Sequence, residues 1–326
     1  MTTLVETKSS SVLTHPSNAK PAPDVNSFQR LDSQHRIWTW LVDGLYVPEI
    51  EEQLQQHMGR AKNPAILDVG CGSAIWSVGM AERFPSAQVI GVDITTPNHR
   101  SFPSNFSFRN HNLVNGLPSE FKAKFDIIQC RTVCQHIPDP QALVDCMADC
   151  LKPDGFLILA DGDLSVGFDE DRKLLEPFIY DPSLSIQDNL KNTKGLSWHA
   201  GWLHAFSQAT RSVKYESPLT MAQKSKLLKE PTIKDLWIPY GWEGKDVKYG
   251  KEMGELTAED FKHIYQFSGN TVFNKLDIPS EIKNALVERG LTEVSKRKTY
   301  LVGSYVVARK YSEAEIQSSI PKNGST

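Results

Sequence analysis

The chain has 326 residues, 40% of them hydrophobic and 23% charged, and a formal net charge of −3. This composition is typical of a globular protein with one large core, or one core with a substantial insertion. The near-neutral charge argues against nucleic acid as the main partner, because neutralising phosphates needs concentrated lysine and arginine. No stretch approaches the ~20 apolar residues that cross a bilayer, and the N-terminus lacks the apolar segment of a secretory signal. We therefore expect a cytoplasmic protein without a nucleic-acid or membrane partner.

The outer segments of the chain differ from its middle in composition and periodicity. Residues 1–26 predict a disordered tail and residues 311–326 a flexible one, because both are polar. Residues 27–60 place apolar residues at helical spacing and predict an N-terminal helical cap. Residues 162–295 are helical and aromatic without strand alternation, which predicts a helical insertion that covers the substrate. Residues 296–310 predict the closing strand.

Between these segments, residues 61–161 predict the cofactor-binding core. Short apolar runs alternate there with helical patterns, and the runs are 65–69, 88–93, 106–108, 125–130 and 155–160. Strand, helix, strand at this rhythm forms parallel βαβ units. The sequence therefore predicts an α/β fold with a doubly wound, mostly parallel, Rossmann-like sheet and helices on both of its faces. Ligands of such a sheet bind at the carboxyl ends of the strands.

The five cysteines are odd in number and lie in segments predicted as strands and a helix, so reduced thiols fit better than a disulfide framework. Two pairs, Cys130/Cys134 and Cys146/Cys150, show a spacing that zinc ligands also use. Neither pair is accompanied by the glycine of a zinc knuckle. We therefore predict no metal site.

The loop after the first strand carries the sharpest functional signal. Asp68, Gly70 and Gly72 precede a helix, so that backbone N–H groups can approach a ligand where no Cβ intrudes. A dinucleotide-binding loop has its third glycine where this chain has Ile75, which would crowd a pyrophosphate. A cationic ligand without phosphate fits better, since Asp68 suits an amino group and Asp93 suits ribose hydroxyls. The alternative is a tight strand–helix turn that binds nothing.

These residues carry a family resemblance. Together with Asn112-Leu113 and the segment 151–155, they resemble the motif series of class I S-adenosylmethionine-dependent methyltransferases. The segments 30–39 and 72–76 are similar to the fungal LaeA-type and related secondary-metabolism methyltransferases. The resemblance implies a class I methyltransferase domain over residues 27–310, with S-adenosylmethionine as its cofactor.

The resemblance also implies the residues that bind the cofactor, which are Asp68, Gly70, Gly72, Asp93, Asn112, Leu113 and Arg131. The first three would hold the methionine part, Asp93 the ribose, and Asn112 with the Leu113 backbone the adenine, while Arg131 opens the loop after the fourth strand. Two positions depart from the family. Ala74 replaces a third glycine, and Asn112 replaces a common aspartate. Because the amide oxygen of Asn112 still accepts a hydrogen bond, we expect weakened rather than lost adenine binding.

Methyl transfer requires alignment, and it requires a base only when the acceptor atom carries a proton. His136, just after the fourth strand, is the first candidate base, although a structural histidine in that loop is the alternative. His199 and His204 of the insertion are the second choice. His35 either closes over the cofactor from the N-terminal helix, caps that helix or lies in solvent.

Aromatic residues of the insertion predict the kind of acceptor. Trp198, Trp202 and Phe206 share one helical face, a pattern that forms core more often than a pocket wall. Further aromatic surface comes from Trp237, Tyr240 and Trp242. Together they favour a small apolar or aromatic acceptor in an enclosed pocket.

The leading hypothesis is a methyltransferase of secondary metabolism, with O-methylation favoured over N- or C-methylation. The main alternative is a LaeA-type cofactor-binding regulator without direct small-molecule turnover, which would act in the nucleus. A third possibility is an enzyme that uses the bound cofactor for electrostatics and does not transfer its methyl group. The N-terminal segment shows no basic nuclear-import cluster, which favours the enzyme.

Overall fold

The computed structural model describes residues 25–97, 101–211 and 216–319. The helices in these ranges are α1 Val25–Val42, α2 Glu51–Arg60, α3 Ile75–Arg83, α4 Pro140–Cys150, α5 Ile186–Lys191, α6 Trp198–Thr210, α7 Pro218–Lys224, α8 Gly250–Phe267, α9 Ser280–Val294 and α10 Glu313–Ser319. The strands are β1 Ala65–Val69, β2 Gln88–Asp93, β3 Phe106–Asn110, β4 Phe125–Arg131, β5 Leu151–Gly162, β6 Phe168–Asp169, β7 Leu228–Tyr240 and β8 Thr299–Lys310. The tail predicted over residues 1–26 lies almost entirely outside the described residues.

The strands of the described ranges form one sheet in the order β3-β2-β1-β4-β5-β8, with β7 along the other edge of β8 and β6 beside the start of β8. β1 to β5 pair in parallel, and β8 runs antiparallel to both β5 and β7. The chain order reverses between β1 and β4, which is where a doubly wound sheet binds its ligand. The predicted α/β fold with a doubly wound, mostly parallel sheet is confirmed.

Apolar side chains cover the sheet on both faces because neighbouring strand residues point in opposite directions. In β1, Ile66 belongs to the cluster with α1, α2 and α3, whereas Leu67 belongs to the cluster with α4 and α7. Neither side chain has any exposed surface. Burial on both faces explains why the core strands are continuous apolar runs in the sequence.

The helices α5, α6, α8 and α9, which we call the cap, come from the chain between β5 and β8. They enclose a third apolar cluster, with Trp202, Tyr265 and Phe273 at its centre. Helix α6 begins where Ser197 Oγ accepts a hydrogen bond from the N–H of Ala200 over 3.0 Å, an N-cap of the usual kind. No helix of the described ranges is both long and apolar enough to span a membrane.

Strand β7 corrects the prediction of a purely helical insertion over residues 162–295. It pairs with β8 along most of its length and forms an edge of the sheet. Pro231 lies at the shift in register between Lys229 and Thr232, a place where the sheet tolerates a residue without an N–H group. An edge strand with prolines and lysines lacks the apolar alternation that marks a strand in sequence.

The C-terminal segment also differs from its prediction, since α10 begins in the stretch expected to be flexible. Ser312 and Glu315 form reciprocal hydrogen bonds at its start. Ser312 N donates to Glu315 Oε2 over 2.7 Å, and Glu315 N donates to Ser312 Oγ over 3.3 Å. This is the capping box of a helix N-terminus, and Lys229 Nζ of β7 holds the same carboxylate at 2.7 Å.

Candidate active site

The loop between β1 and α3 turns through left-handed backbone. The φ angle is +74° at Gly70, +53° at Gly72 and +59° at Ala74, a region that costs a residue with a Cβ about 1–2 kcal/mol. Ala74 therefore adopts the strained conformation that a third glycine would take freely. The N–H groups of Gly70 and Cys71 donate to Val92 O over 2.8 and 3.0 Å, which ties the loop to β2.

Two other segments border this loop closely. A Cβ on Gly70 would lie 2.2 Å from Cγ2 of Val133, in the loop after β4, and a Cβ on Gly72 would lie 3.2 Å from Cδ1 of Leu31 in α1. Glycine at position 70 is thus required by the approach of a neighbouring segment as well as by its φ angle. Helix α1 and the loop after β4 therefore surround the predicted cofactor loop.

Asp68 lies at the carboxyl end of β1 with only 3% of its surface exposed. Its carboxylate accepts a hydrogen bond from Ser77 Oγ over 2.6 Å. Burial raises the pKa of Asp68 to about 6, although the Ser77 hydroxyl and the positive charge of Arg131 act in the opposite direction. An ionised carboxylate in such surroundings is stabilised by a cation, so this site favours a positively charged ligand group.

Asp93, at the carboxyl end of β2, connects that strand to the glycine loop. Its Oδ2 accepts from Gly72 N over 2.9 Å and its Oδ1 accepts from Thr95 N over 3.0 Å. Each carboxylate oxygen retains a second lone pair that can accept from a hydroxyl group. The structure thus brings Asp68, Gly70, Gly72 and Asp93 together at the switch point of the sheet.

Asn112 and Leu113 lie just after β3, in the 3-10 turn Leu113–Asn115. Asn112 Oδ1 accepts from Val114 N over 3.1 Å and so caps this turn. The amide oxygen expected to meet adenine is therefore already engaged, and only its second lone pair is open to a ligand. Leu113 is buried in the cluster on the α4 side of the sheet.

Arg131, the last residue of β4, contacts α1. Its Nη2 lies 3.0 Å from Nδ1 of His35, and His35 Nε2 lies 3.1 Å from Oγ1 of Thr39. Because a guanidinium can only donate, Nδ1 accepts and Nε2–H donates to Thr39, which identifies the tautomer of His35. His35 lies in the middle of α1 with 9% of its surface exposed, so it neither caps that helix nor lies in solvent. Its closure over the cofactor stays a prediction.

The predicted bases do not share one site. His136 has an exposed side chain in the 3-10 turn Cys134–His136 that follows β4, at the carboxyl edge of the sheet. His204 lies half-buried on α6, with Nε2 at 3.0 Å from Nε2 of Gln208. His136 thus lies at the carboxyl edge of the sheet and His204 in the cap, and the role of either as a base stays a prediction.

His199 occupies a packing position, so its prediction as a base is corrected. It has no exposed surface, and its Nδ1 lies 2.6 Å from the hydroxyl of Tyr265. Burial lowers the pKa of His199 to about 3, which keeps the ring neutral. A ring enclosed between Tyr240 and Tyr265 has no route to an acceptor.

Asp161, at the carboxyl end of β5, is a candidate that sequence reasoning missed. It is 4% exposed and accepts hydrogen bonds from the N–H groups of Gly162, over 2.8 Å, and Gln135. Burial raises its pKa to about 7, against these hydrogen bonds and the charge of Arg211. The available signal was an acidic residue directly after an apolar strand, the same pattern that identified Asp68 and Asp93.

The aromatic stripe of α6 belongs to the core of the cap. Trp202 is fully buried and stacks on Tyr265 with ring centroids 3.8 Å apart, while Trp198 stacks on Phe178 at 4.0 Å. Trp237 lies half-buried on β7 against Phe168, 5.0 Å away. The more common of the two sequence interpretations, core rather than pocket wall, describes Trp198 and Trp202.

All five cysteines are free thiols. Cys130 and Cys134 approach one another to 3.7 Å between their Sγ atoms, in the buried cluster on the α4 side of the sheet. Residues 25–97, 101–211 and 216–319 contain no group of three or more side chains arranged to hold a metal ion.

The residues at the ends of β1 and β2 fit a ligand in which an amino acid is joined to a nucleoside. An acid at the end of β1, a second acid at the end of β2 and a glycine loop between them present groups for an ammonium and for ribose hydroxyls. Asp68 at this position would repel a pyrophosphate. The fold and the site together define a class I methyltransferase.

Comparison with known proteins agrees with this class. The family model described as "Methyltransferase domain" matches residues 44–244. The chain is 28% identical over 191 residues to the secondary metabolism regulator laeA of Coprinopsis cinerea, covering 58% of this chain and 44% of that protein. It is 33% identical over 104 residues to methyltransferase str2 of Strobilurus tenacellus, covering 32% and 38%. It is 30% identical over 115 residues to the ubiquinone biosynthesis O-methyltransferase of Leptothrix cholodnii, covering 33% and 48%.

The family model covers more than half of the chain, so the protein belongs to this methyltransferase domain family, and S-adenosylmethionine is its cofactor. The chain spans less than half the length of each of the three relatives. Their reactions and substrates are properties of those proteins.

Proposed function

We propose that the protein transfers the methyl group of S-adenosylmethionine to a hydroxyl oxygen of a small apolar or aromatic secondary metabolite. The observation that carries this proposal is the buried carboxyl group of Asp161, with a pKa of about 7, at the carboxyl edge of the sheet. The names of the str2 and ubiquinone-pathway relatives support methyl transfer, and in the second case transfer to oxygen.

The order of the strands supports a role for Asp161 on the acceptor side. Asp93 on β2 faces the predicted ribose and Asp68 on β1 faces the predicted methionine part. In the sheet, β4 and β5 follow β1. The acceptor therefore approaches from β4 and β5, where Asp161 and the loop containing Gln135 and His136 lie.

Bound S-adenosylmethionine supplies a methyl group on a positively charged sulfur, which needs no further activation. A hydroxyl acceptor, however, must lose its proton as its oxygen bonds to that methyl carbon and the carbon–sulfur bond breaks, which releases S-adenosylhomocysteine. Asp161 would take this proton, because a carboxylate with a pKa of about 7 is both ionised and basic near neutral pH. General-base catalysis of this kind contributes about 10²–10⁴-fold.

The test is methyl transfer from isotope-labelled S-adenosylmethionine to a panel of phenols and alcohols, followed by mass spectrometry. Asp161→Asn should lower kcat by about 10²–10⁴-fold, leave the Kd of S-adenosylhomocysteine unchanged and remove the rise in rate through pH 7. Asp163→Asn, which alters the neighbouring carboxylate that pairs with Arg211 at 3.1 Å, is the matched control. It should keep the rise in rate but move it to lower pH, because the charge of Asp163 helps to raise the pKa of Asp161.

Two other results would show that Asp161 is not the general base. Loss of turnover in His136→Ala but not in Asp161→Asn would assign the base to His136. Normal turnover in both variants would mean that the acceptor is a carboxylate or is already ionised, so that alignment alone drives transfer.

The second candidate is a regulator that binds the cofactor without turning over a small molecule. The observation that favours it is the similarity to a protein named as a regulator of secondary metabolism, which extends over 58% of the chain. Tight binding of S-adenosylhomocysteine without methyl transfer to any phenol or host extract component would favour the regulator.

The partner we propose is thus a small-molecule acceptor. A cytoplasmic location stays a prediction, supported by the five free thiols, which are typical of reducing compartments.

A further inference from the structure

Two of the five free thiols lie one helical turn apart on α4 and differ in their surroundings. Cys146 is half-buried, whereas Cys150, the last residue of the helix, is 3% exposed. Residues four apart lie on the same face of a helix, and the Cys150 thiol donates a hydrogen bond to the sulfur of Cys146. The pair thus consists of a sulfur that solvent reaches and a proton donor buried beside it.

A second donor reaches the same sulfur from the loop after β3. The backbone N–H of Leu117 donates to Cys146 Sγ over 3.3 Å. The hydrogen bond from Cys150 lowers the pKa of Cys146 against the effect of burial. The Leu117 N–H and the charge of His111 lower it further, whereas the charge of Asp149 raises it. Because the thiolate is the reactive form of cysteine, these contacts favour reaction at this sulfur.

The other four thiols lack this combination of features. All of them are buried, namely Cys71, Cys130, Cys134 and Cys150. Burial raises the pKa of Cys71, and a hydrogen bond to a neighbouring thiol together with burial raises that of Cys130. The hydrogen bond to Cys146 and burial also raise the pKa of Cys150, although the charge of Lys310 on β8 opposes them. Among the five cysteines, Cys146 therefore combines access to solvent with stabilisation of its thiolate.

We propose that Cys146 is a site of reversible oxidation by hydroperoxides, with Cys150 and the Leu117 N–H as the donors to its sulfur, and that its oxidation weakens cofactor binding. This inference does not rest on the identity of the acceptor or of the base.

The oxidation is a two-electron step. The thiolate sulfur attacks one oxygen of the peroxide, the oxygen–oxygen bond breaks as the sulfur–oxygen bond forms, and the departing hydroxide or alkoxide takes up a proton. The sulfur is oxidised to a sulfenic acid while the peroxide is reduced to water or an alcohol. Two small thiols reverse the step, the first by forming a disulfide with loss of water and the second by reducing that disulfide.

The loop after β3 connects this thiol with the predicted cofactor site. The sulfur lies beside Gly116, where an added Cβ would be 3.7 Å from it, and its hydrogen bond to Leu117 fixes the end of the 3-10 turn that Asn112 caps. Asn112 and Leu113 are the residues that we expect to meet adenine. An oxygen added to the sulfur disturbs the hydrogen bond from Leu117, so that the turn loses this support.

The first experiment identifies the reactive thiol in the full-length protein. Hydrogen peroxide is added together with dimedone, which traps sulfenic acids, and the labelled cysteines are mapped by mass spectrometry. Cys146 should be labelled at least about 10-fold faster than any other cysteine, as expected for the accessible thiolate. Cys134→Ser, which removes a buried thiol, is the matched control and should leave this labelling unchanged. Preferential labelling of another cysteine, or equal labelling of several, overturns the proposal.

Variants at Cys150 test its role as a donor. The measurement is the rate at which iodoacetamide alkylates Cys146 as a function of pH. Cys150→Ala should move the midpoint of this profile to higher pH, whereas Cys150→Ser, whose hydroxyl still donates, should keep it close to that of the wild type. An unchanged profile in Cys150→Ala would show that Cys150 does not stabilise the thiolate.

The last experiment measures the effect on the cofactor site by isothermal titration calorimetry with S-adenosylhomocysteine. Treatment with peroxide should lower the affinity of the wild type about 5-fold or more, as is typical of coupling between distinct sites, and dithiothreitol should restore it. Cys146→Ser, whose hydroxyl can still accept from Leu117, should bind like the reduced wild type and should not respond to peroxide. Cys146→Ala takes its place if that variant does not fold.

Two results would contradict the coupling between Cys146 and the cofactor site. One is an affinity that peroxide leaves unchanged in the wild type, and the other is an equal loss of affinity in Cys146→Ser. If the reduced wild type does not bind S-adenosylhomocysteine, the cofactor assignment fails, whereas the labelling of Cys146 still decides whether this thiol is the site of oxidation.

Discussion

At the scale of single residues, Gly70 meets two independent constraints. Its φ angle of +74° is unfavourable for any residue with a Cβ, and that Cβ would overlap Val133 Cγ2 at 2.2 Å. Gly195 has a φ angle of +84° but nothing within 4 Å of an added Cβ. Comparison of the two glycines therefore separates the cost of left-handed backbone from the cost of steric overlap with a neighbouring side chain.

We predict that Gly195→Ala lowers the free energy of unfolding by about 1–2 kcal/mol, the cost of left-handed backbone, and that Gly70→Ala lowers it further. Val133→Ala in the Gly70→Ala background should recover part of the difference, because it removes the overlapping methyl group. Urea unfolding of the wild type, the two glycine variants, Val133→Ala and the double variant measures this coupling. Equal losses in Gly70→Ala and Gly195→Ala would show that the loop after β4 moves away at no cost.

His199 makes the stability of the fold depend on pH. Its pKa in the folded protein, about 3, lies below the value of about 6.5 in an unfolded chain. At pH values between about 3 and about 6.5, the ring binds a proton in the unfolded state but not in the folded state. The free energy of unfolding therefore falls as the pH falls below about 6.5.

We expect His199→Gln to reduce this fall by up to about 1.4 kcal/mol per pH unit. Denaturant unfolding of the wild type and the variant from pH 5 to 9 measures it. Above pH 8 the two curves should run parallel, because His199 is then neutral in both states. A parallel course below pH 6 as well would show that the buried ring takes up a proton by local rearrangement.

The difference between what the sequence predicted and what it missed is visible at single residues. The strand, glycine turn and helix around Asp68, Gly70 and Gly72 were predictable because this geometry depends on neighbours within a few positions. The contact between His35 and Arg131 joins residues 96 positions apart, and no local pattern reports such a pair. Asp161 ends a strand in the same way as Asp68. Its raised pKa arises from burial by distant segments, which the sequence does not reveal.

At the scale of elements, α1 is the helix that joins the cofactor loop to the rest of the molecule. Leu31 contacts Gly72, and His35 contacts Arg131. A Cβ added to Gly303 of β8 would lie 3.0 Å from Cη2 of Trp38. Its apolar face was evident in the sequence because helical spacing is local information. Strand β7 and helix α10 were missed for the opposite reason, since an edge strand and a polar capped helix depend little on apolar periodicity.

We predict that S-adenosylhomocysteine slows amide hydrogen exchange in α1 more than in α9. Ligand binding to the glycine loop should suppress the opening of the helix that covers it, whereas α9 packs on α6 in the cap. Hydrogen-exchange mass spectrometry with and without the ligand measures both helices at once. Equal protection of α1 and α9 would mean that the ligand stabilises the whole molecule and not α1 in particular.

At the scale of the whole molecule, the buried charge of Asp68 opposes folding and serves binding. The folded-state pKa of about 6 lies above the ordinary value, so stability is lost as pH rises from about 4 through 6, when the carboxylate ionises. We predict that the same ionised group is the partner of a cationic ligand group. Stability without ligand and stabilisation by ligand should therefore respond in opposite directions to its removal.

We expect Asp68→Asn at pH 8 to leave the ligand-free protein at least as stable as the wild type, yet to lose most of its stabilisation by S-adenosylhomocysteine. For the wild type this stabilisation is about 2.7 kcal/mol at a ligand concentration of 100 Kd. Thermal unfolding with and without ligand measures both effects, and NAD should cause no shift. Full retention of the ligand effect in Asp68→Asn would remove the carboxylate from the site.

The pairing of Gly162 with Gly303 places the exit from the sheet directly opposite the return to it. The chain between these two residues contains the cap and β7, and it begins and ends at one pair of neighbouring residues in the sheet. We call this segment the cassette. Exchange of this cassette between related enzymes would leave β1 to β4 and the cofactor loop intact. Beyond its ends, the incoming cassette must supply an edge strand in register with the outer side of β8. It must also match the packing of α8 on α1 and of α7 on α4. Chimeras joined at these two glycines would therefore test whether the cassette determines which acceptor is methylated.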